Sequence, residues 1–402
     1  MTAAGVAVDA GDVSRTELLE ARRTAIRTSG WGARFHFVQP RNACFWVYLL
    51  LVAVGAWTLV GLIVPTAGIF RQANTAALAS ASLFAVVFLL FLHRFDRWER
   101  TPGRLAVAAF VGGGIAAPWA IAVPGNAALM GLYAKVFGQA WADDWQAGLT
   151  APFVEELGKG AIFVLLLGLA PRVVRTVYDG LIVGAYVGLG FQVLEDMLYG
   201  QNAAYQHFGD DQVGSVLHTF VIRALTGVAS HAMYTAIFSA GVIYLLGTPA
   251  QPRRVGRGIL LVLAAMVLHG TWDSMGALSQ GGFVIYLLMP GITVASIVIL
   301  FGAIRWASTR ERGYLAAILA PEILDGTVTP EEATALTGPH RQHRQTLRAA
   351  AAAEPHPLSK RQERHVLLAV RDLAHDLAEA DGDESPNVTH ARSEVARVRQ
   401  HL

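Results

Sequence analysis

Ala151-Pro152-Phe153-Val154-Glu155-Glu156-Leu157-Gly158-Lys159-Gly160 runs without a break into the apolar stretch from Ala161 to Ala170. Some 20 residues of this kind suffice to cross about 30 Å of hydrocarbon. Yet two adjacent carboxylates and an ammonium sit among them. A charge near the bilayer centre costs about 3 kcal/mol on the mildest scale, so such residues face a cavity or a partner. Three more stretches repeat the pattern: Phe191 to Asp196, Ser230-His231, and His269 to Asp273. The reading is that these four pieces converge on one buried polar site.

The rest of the chain supplies the membrane around them. Of 402 residues, 53% are hydrophobic and 15% charged, with a mean hydropathy of +0.42. An ordinary soluble domain carries about 25% charged residues. The composition therefore predicts an all-α, polytopic transmembrane bundle embedded in the lipid bilayer. A net charge of +2 implies no nucleic-acid partner. The single cysteine, Cys44, forms no intramolecular disulfide and reads as an apolar packing residue. Lysine occurs only at 135, 159 and 360, and the arginine- and alanine-rich composition suits a bacterial source.

Eight apolar segments, near residues 43–65, 74–93, 105–123, 148–170, 178–200, 217–246, 258–279 and 283–304, have roughly spanning length. The sixth is long enough to tilt or to run beyond the bilayer. Asn126 to Phe137 is too short to span and reads as a surface helix or a re-entrant piece. Residues 1–42 form an arginine-rich arm without the apolar core of a signal peptide. Residues 43–306 form the transmembrane core. Residues 307–402 return to soluble composition as a helical tail that packs on itself or on a partner. In that tail, Thr329-Pro330-Glu331-Glu332 is a helix start, and Ser359 with Gln362 resembles a capping box opening a second helix. Val366, Leu367, Val370, Leu373 and Leu377 recur there at helical spacing.

Arginine placement orients the bundle. One set of connections carries Arg94, Arg97, Arg100 and Arg104, then Arg172 and Arg175, then Arg253, Arg254 and Arg257, then Arg305, Arg310 and Arg312. The alternate set carries only Arg71 and Lys135 beside several acids. Both termini are therefore expected in the cytoplasm, in a multi-pass protein of the cell membrane.

Spacing then aligns the polar residues. Glu155 and Lys159 are four apart and share a helix face, with Glu156 offset by about 100°. His269 and Asp273 share a face in the same way. Counted from the segment ends, Glu155, Glu195, His231 and His269 all fall in the middle or outer half of the bilayer. Two glutamates and two histidines on separate helices can build a metal site, and imidazole with carboxylate suits zinc. A spare glutamate would then take the proton of a metal-activated water. Without metal, a buried glutamate could activate water itself, while histidine and aspartate stabilise the oxyanion. Bland readings stand beside these. Glu155, Glu156 and Lys159 could be an ion pair that fixes packing, Glu195-Asp196 an interfacial charge, and His231 a hydrogen bond between helices. Arg223 could snorkel to the interface. Gly180, Gly184, Gly188 and Gly190 would allow close helix contact.

Glu155-Glu156-x-x-Lys159, Asp179-Gly180 running to Phe191-x-x-x-Glu195, His231, and His269-x-x-x-Asp273 together resemble the PrsW-type intramembrane proteases. These are relatives of the group that includes the CAAX prenyl endopeptidases. The resemblance covers about residues 147–280 and implies a helical membrane peptidase in which Glu155 and Glu156 are essential. By that resemblance Glu155 is the water-activating base, and Glu195, His231 and His269 are metal ligands or polarising groups. Asp273 orients His269 or faces the oxyanion. The implied substrate is a membrane-anchored regulator such as an anti-sigma factor, cut on the extracytoplasmic side. The rivals are a prenyl-peptide endopeptidase, a transporter or proton-coupled channel using the same carboxylates and histidines as a relay, and a scaffold acting through the tail. Oligomeric state has no signature in the sequence.

Overall fold

In lipid, an apolar run has only its own backbone to satisfy its peptide groups, so it folds as a helix. The computed structural model describes residues 14–227, 230–338 and 360–400, and these form helices and no strand. In chain order they are α1 (Arg15–Ser29), α2 (Ala43–Ile63), α3 (Arg71–Phe95) and α4 (Gly103–Val111). A π-helical stretch, Gly112–Ala122, then leads into α5 (Val123–Phe137). Next come α6 (Gln139–Leu169), α7 (Val177–Gln206), α8 (Gln212–Thr226), α9 (His231–Leu246), α10 (Val255–Asp273), the short α11 (Met275–Ser279) and α12 (Ile285–Leu324). The last three are α13 (Pro330–Thr337), α14 (Lys360–Glu379) and α15 (Pro386–Gln400). The chain divides into two units, Arg34–Ala307 and Met1–Ala33 with Ser308–Leu402.

In the first unit, six described helical stretches are long and apolar enough to cross a membrane, or seven if α8 and α9 count as one bent span. The protein is thus a multi-pass membrane protein. Eight spans were expected, and the difference is α6. Its carboxylates and Lys159 interrupt every apolar window long enough to span. Two other expectations also change. Asn126 to Phe137 is no separate surface piece but the end of one helical stretch, Gly103–Phe137. The sixth segment is broken rather than merely long, with α8 and α9 bent by 43°.

Buried along most of its length, α7 is the centre of this bundle. Glycines set how closely its neighbours approach. A Cβ on Gly188 would stand 2.2 Å from the carbonyl oxygen of His231, so only glycine lets the first turn of α9 lie against α7. Gly270 does the same between α10 and α6, where a Cβ would meet the Gly148 carbonyl at 2.8 Å.

The arginine-bearing connections share one end of the bundle. Tyr178 Oη donates to Phe95 O at 2.9 Å, Thr248 Oγ1 donates to Arg175 O, and Arg257 lies 3.7 Å from the Trp306 ring centre. At the other end, Thr66 Oγ1 meets Tyr205 Oη at 3.0 Å and Gln212 Nε2 donates to Ile69 O at 3.0 Å.

The second unit joins α1 to α13, α14, α15 and the part of α12 from Ser308 on. Ser14 and Thr329 both close capping boxes, and α13 starts after Thr329, where a helix start was expected. The proposed box of Ser359 with Gln362 lies outside the described residues. Val366, Val370, Leu373 and Leu377 are buried, as their helical spacing required. Arg22 and Glu322 are buried too and pair at 2.8 Å, and Arg392 adds two hydrogen bonds to the same carboxylate.

Candidate active site

The site begins on α6. Glu155, Glu156 and Lys159 are all buried, and the i, i+3 spacing brings Lys159 Nζ to 2.6 Å from Glu156 Oε1. The same ammonium lies 4.0 Å from Glu155 Oε2 and 4.3 Å from the centre of the Phe191 ring on α7. Packed across Gly148 and Gly270, α10 delivers His269. Its Nδ1 is 2.9 Å from Glu156 Oε1, and its Nε2 is 3.2 Å from Asp273 Oδ2 and 3.7 Å from Glu155 Oε2.

His231 enters because the sixth segment breaks and α9 starts at that residue. Its Nδ1 lies 2.9 Å from Lys159 Nζ and 4.0 Å from Glu155 Oε2, and its Nε2 lies 2.9 Å from Glu195 Oε2. The two imidazoles meet edge to face at 4.9 Å. From α8, Arg223 donates to Glu195 Oε2 at 2.6 Å and to Asp196 Oδ1. Arg223 therefore does not snorkel outward as expected; two carboxylates of α7 hold it against the site. Counted along their helices, Glu155 and His269 lie 14 residues from the arginine-bearing ends, His231 15 and Glu195 18. These distances are about 21 to 27 Å at 1.5 Å per residue, a common depth.

Thr235 Oγ1 donates to Glu156 Oε2 at 3.3 Å, and Asn126 Nδ2 donates to Glu155 Oε1 at 3.0 Å. Glu155 Oε2, although buried, has no hydrogen-bond partner among the described residues. It faces a cavity of about 390 Å³ lined by Trp119, Asn126, Glu195, His231, His269 and Asp273 among others.

Glu155, His231 and His269 offer three donor atoms that all lie within 4.8 Å of one another, a set that could hold a metal ion. The separations of 3.7 and 4.0 Å from Glu155 Oε2 approach the roughly 3.4 Å between two ligands about 2.1 Å from a tetrahedral ion. The remaining nitrogens fit as well. His269 Nδ1 meets Glu156 and His231 Nε2 meets Glu195, the carboxylate-backed arrangement that fixes the tautomer of a ligating histidine. Charge points the same way. Among the described residues, Glu155, Glu156, Glu195, Asp196 and Asp273 face two imidazoles and, as fixed cations, Lys159 and Arg223, an excess of carboxylates that a divalent cation would offset.

The structure thus brings together all seven residues singled out in the sequence: Glu155, Glu156, Lys159, Glu195, His231, His269 and Asp273. Their arrangement differs in one respect. Glu155, expected as the base, is the carboxylate grouped with both histidines, while Glu195, expected as a ligand, stands behind His231 and is tied to Arg223. Arg223 was read as snorkelling to the interface, although the rule applied to Glu155 would have flagged it as a charge inside a long apolar segment. Asn126 escaped the sequence reading altogether: it carries no charge and lay in a stretch set aside as too short.

Residues 101–304, half of the chain, match the model of the PrsW family intramembrane metalloprotease. Protease PrsW of Bacillus subtilis (strain 168) is 33% identical over 148 residues, covering 35% of this chain and 58% of that protein. The match therefore spans less than two thirds of that curated relative's length. No solved structure matches the chain.

Proposed function

The chain belongs to the PrsW family of intramembrane metalloproteases, and on that premise we propose that it hydrolyses a peptide bond of a membrane-anchored protein. Glu155, His231 and His269 would hold a zinc ion. The observation that carries this reading is Glu155 Oε2, buried and without a partner beside two imidazole nitrogens. Two histidines and a carboxylate, with a fourth position open, form a ligand set used by catalytic zinc. When bound, the ion would polarise the scissile carbonyl and bring the pKa of a water to about 7.

The chain's own residues prepare that chemistry. With an ion bound, Glu156 would accept the His269 Nδ1–H while Nε2 gives up its contact with Asp273 to ligate, and Glu195 would accept the His231 Nε2–H while Nδ1 ligates. Lys159 and Arg223 offset the charge of these two carboxylates. Lys159 would give up its contact with His231 Nδ1 when an ion is held there and keep that with Glu156. Asp273 has the most exposed of the five carboxylate side chains, at 23%, and lines the cavity. It takes a proton from the attacking water and returns it to the leaving amine.

A second reading rests on a specific observation: both His231 nitrogens already have partners, Lys159 and Glu195. In that case Glu155 Oε2 itself takes the proton of water, without metal.

The arginines at one end of the bundle support cytoplasmic termini in a cell membrane. With that orientation, the common depth of the site supports cleavage in the outer half of the bilayer. An anti-sigma factor or another envelope-stress regulator with a single span fits that geometry as substrate.

The test is cleavage of a panel of single-span proteins co-reconstituted with the purified enzyme in lipid vesicles. Wild type should cleave at least one, Glu155→Gln should not, and a chelator should stop cleavage until zinc is restored. Cleavage that survives chelation but not Glu155→Gln selects the metal-free base. Cleavage by Glu155→Gln at the wild-type rate overturns both readings.

A further inference from the structure

The three groups proposed to hold the ion differ in how they are braced. Each histidine is fixed through its second nitrogen by a carboxylate, Glu156 or Glu195. Glu155 has no such partner on α6, and its neighbour in the sequence, Glu156, is engaged elsewhere. Fixing a glutamate side chain costs up to about 2 kcal/mol of rotamer freedom. An unbraced carboxylate could also turn either oxygen toward the histidines.

Asn126 supplies the brace. Its Nδ2 donates to Glu155 Oε1 at 3.0 Å, which leaves Oε2 as the oxygen toward His231 and His269. The contact is built in by the backbone. A Cβ on the adjacent Gly125 would stand 2.6 Å from Val154 Cγ1, so glycine there lets α5 lie against α6 beside the Asn126–Glu155 pair. The donor chemistry is selective as well. A lysine or arginine at this position would offset the charge that makes Glu155 a ligand, whereas an amide donates without adding charge. Asn126 Oδ1 is itself buried without a hydrogen-bond partner among the described residues. Its bond to Glu155 thus has a cost, and the side chain is not held there by a network of its own.

We propose that Asn126 is a positioning residue for the metal site: by capping Glu155 Oε1 it directs Oε2 to the ion. The inference rests on the zinc reading above. Residues that orient a metal ligand typically contribute about 10- to 100-fold in affinity.

The experiment is a calorimetric Zn²⁺ titration of chelator-treated, detergent-solubilised protein, with the thermal melt of each metal-free protein recorded alongside. Wild type, Asn126→Ala and Asn126→Asp are compared. The aspartate variant keeps the size and Oδ1 but loses the donor and sets a second negative charge against Glu155. Wild type should bind about one zinc, Asn126→Ala should bind roughly 10- to 100-fold more weakly, and Asn126→Asp at least as weakly. The metal-free melt of Asn126→Ala should stay near that of wild type, which a purely structural interhelical bond would not allow. Wild-type zinc affinity in both variants overturns the inference and leaves the zinc reading intact. No zinc binding by wild type overturns the zinc reading itself, and this inference with it.

Discussion

Two buried charge clusters separate structural from chemical use of the same residue types. In the unit made by the chain's two ends, Glu322 is saturated. Its Oε1 accepts from Arg22 Nη2 at 2.8 Å and Arg392 Nη2 at 2.9 Å, and its Oε2 from Arg392 Nε at 2.8 Å. Arg22 Nε donates to the Ile318 carbonyl at 2.8 Å. Two cations meet Glu322 and none of its oxygens is left over, while Arg392 also pairs with the exposed Glu384. In the transmembrane unit five carboxylates meet two cations, and Glu155 Oε2 is left without a partner beside two imidazoles. A cluster that only holds a fold closes its own valences. One that binds or reacts keeps a lone pair and a charge in reserve.

The sharpest way to break this contrast is to neutralise the two glutamates in turn. Glu155→Gln should lower cleavage by about 10³-fold or more, with the thermal melt in detergent unchanged or raised, because a buried carboxylate with one oxygen lacking a hydrogen bond is gone. Glu322→Gln should do the reverse. It leaves the buried Arg22 short of a counter-charge, Arg392 keeping Glu384, and should destabilise its unit by about 3–5 kcal/mol. The vesicle assay on folded protein should find cleavage at the wild-type rate. Equal melting losses in the two variants would erase the distinction.

Behind the histidines the effect should shrink. Glu195→Gln keeps an acceptor for His231 but removes the charge that Arg223 answers, and should cost about 10- to 100-fold in zinc affinity. A loss as large as that of Glu155→Gln would make Glu195 a direct ligand.

Asp96 is the smallest case and serves as a control, for it too has a buried oxygen without a partner, Oδ1. No imidazole faces it, so the unpaired oxygen should only cost stability. Burial pushes its carboxyl up to about 6, against the Thr101 N–H that donates to Oδ2. The folded-state pKa lies above the unfolded value of 3.8. The protein should therefore gain stability as pH falls from above 6 toward 4 and lose it as pH rises back through 6. Asp96→Asn should remove that dependence and stabilise by about 1–3 kcal/mol at pH 7, read from melts across pH, with cleavage unaffected.

Much of this was legible in the chain because helices report their own faces. The apolar lengths announce the bundle, and Glu155, Glu156, Lys159, Glu195, His231, His269 and Asp273 stand out as polar residues where lipid forbids them. Spacing along one helix does not report what faces it from another. Nothing in periodicity links Arg223 to Glu195, 28 residues away, or Asn126 to Glu155, 29 away. The stretch from Asn126 misled because its length was counted apart from the apolar segment 105–123, whereas a π-helical segment, Gly112–Ala122, carries one helix through both. The arm and the tail looked like separate appendages because Arg22 and Glu322 are 300 residues apart, and no local pattern carries a contact of that range.

The most direct test is which carboxylate goes with the ion. Metal content per chain should be measured on purified wild type, Glu155→Gln, Glu195→Gln and His269→Ala after equilibration with limiting zinc. The account expects about one zinc in wild type, little in Glu155→Gln and His269→Ala, and partial retention in Glu195→Gln. Zinc kept by Glu155→Gln and lost from Glu195→Gln would contradict it.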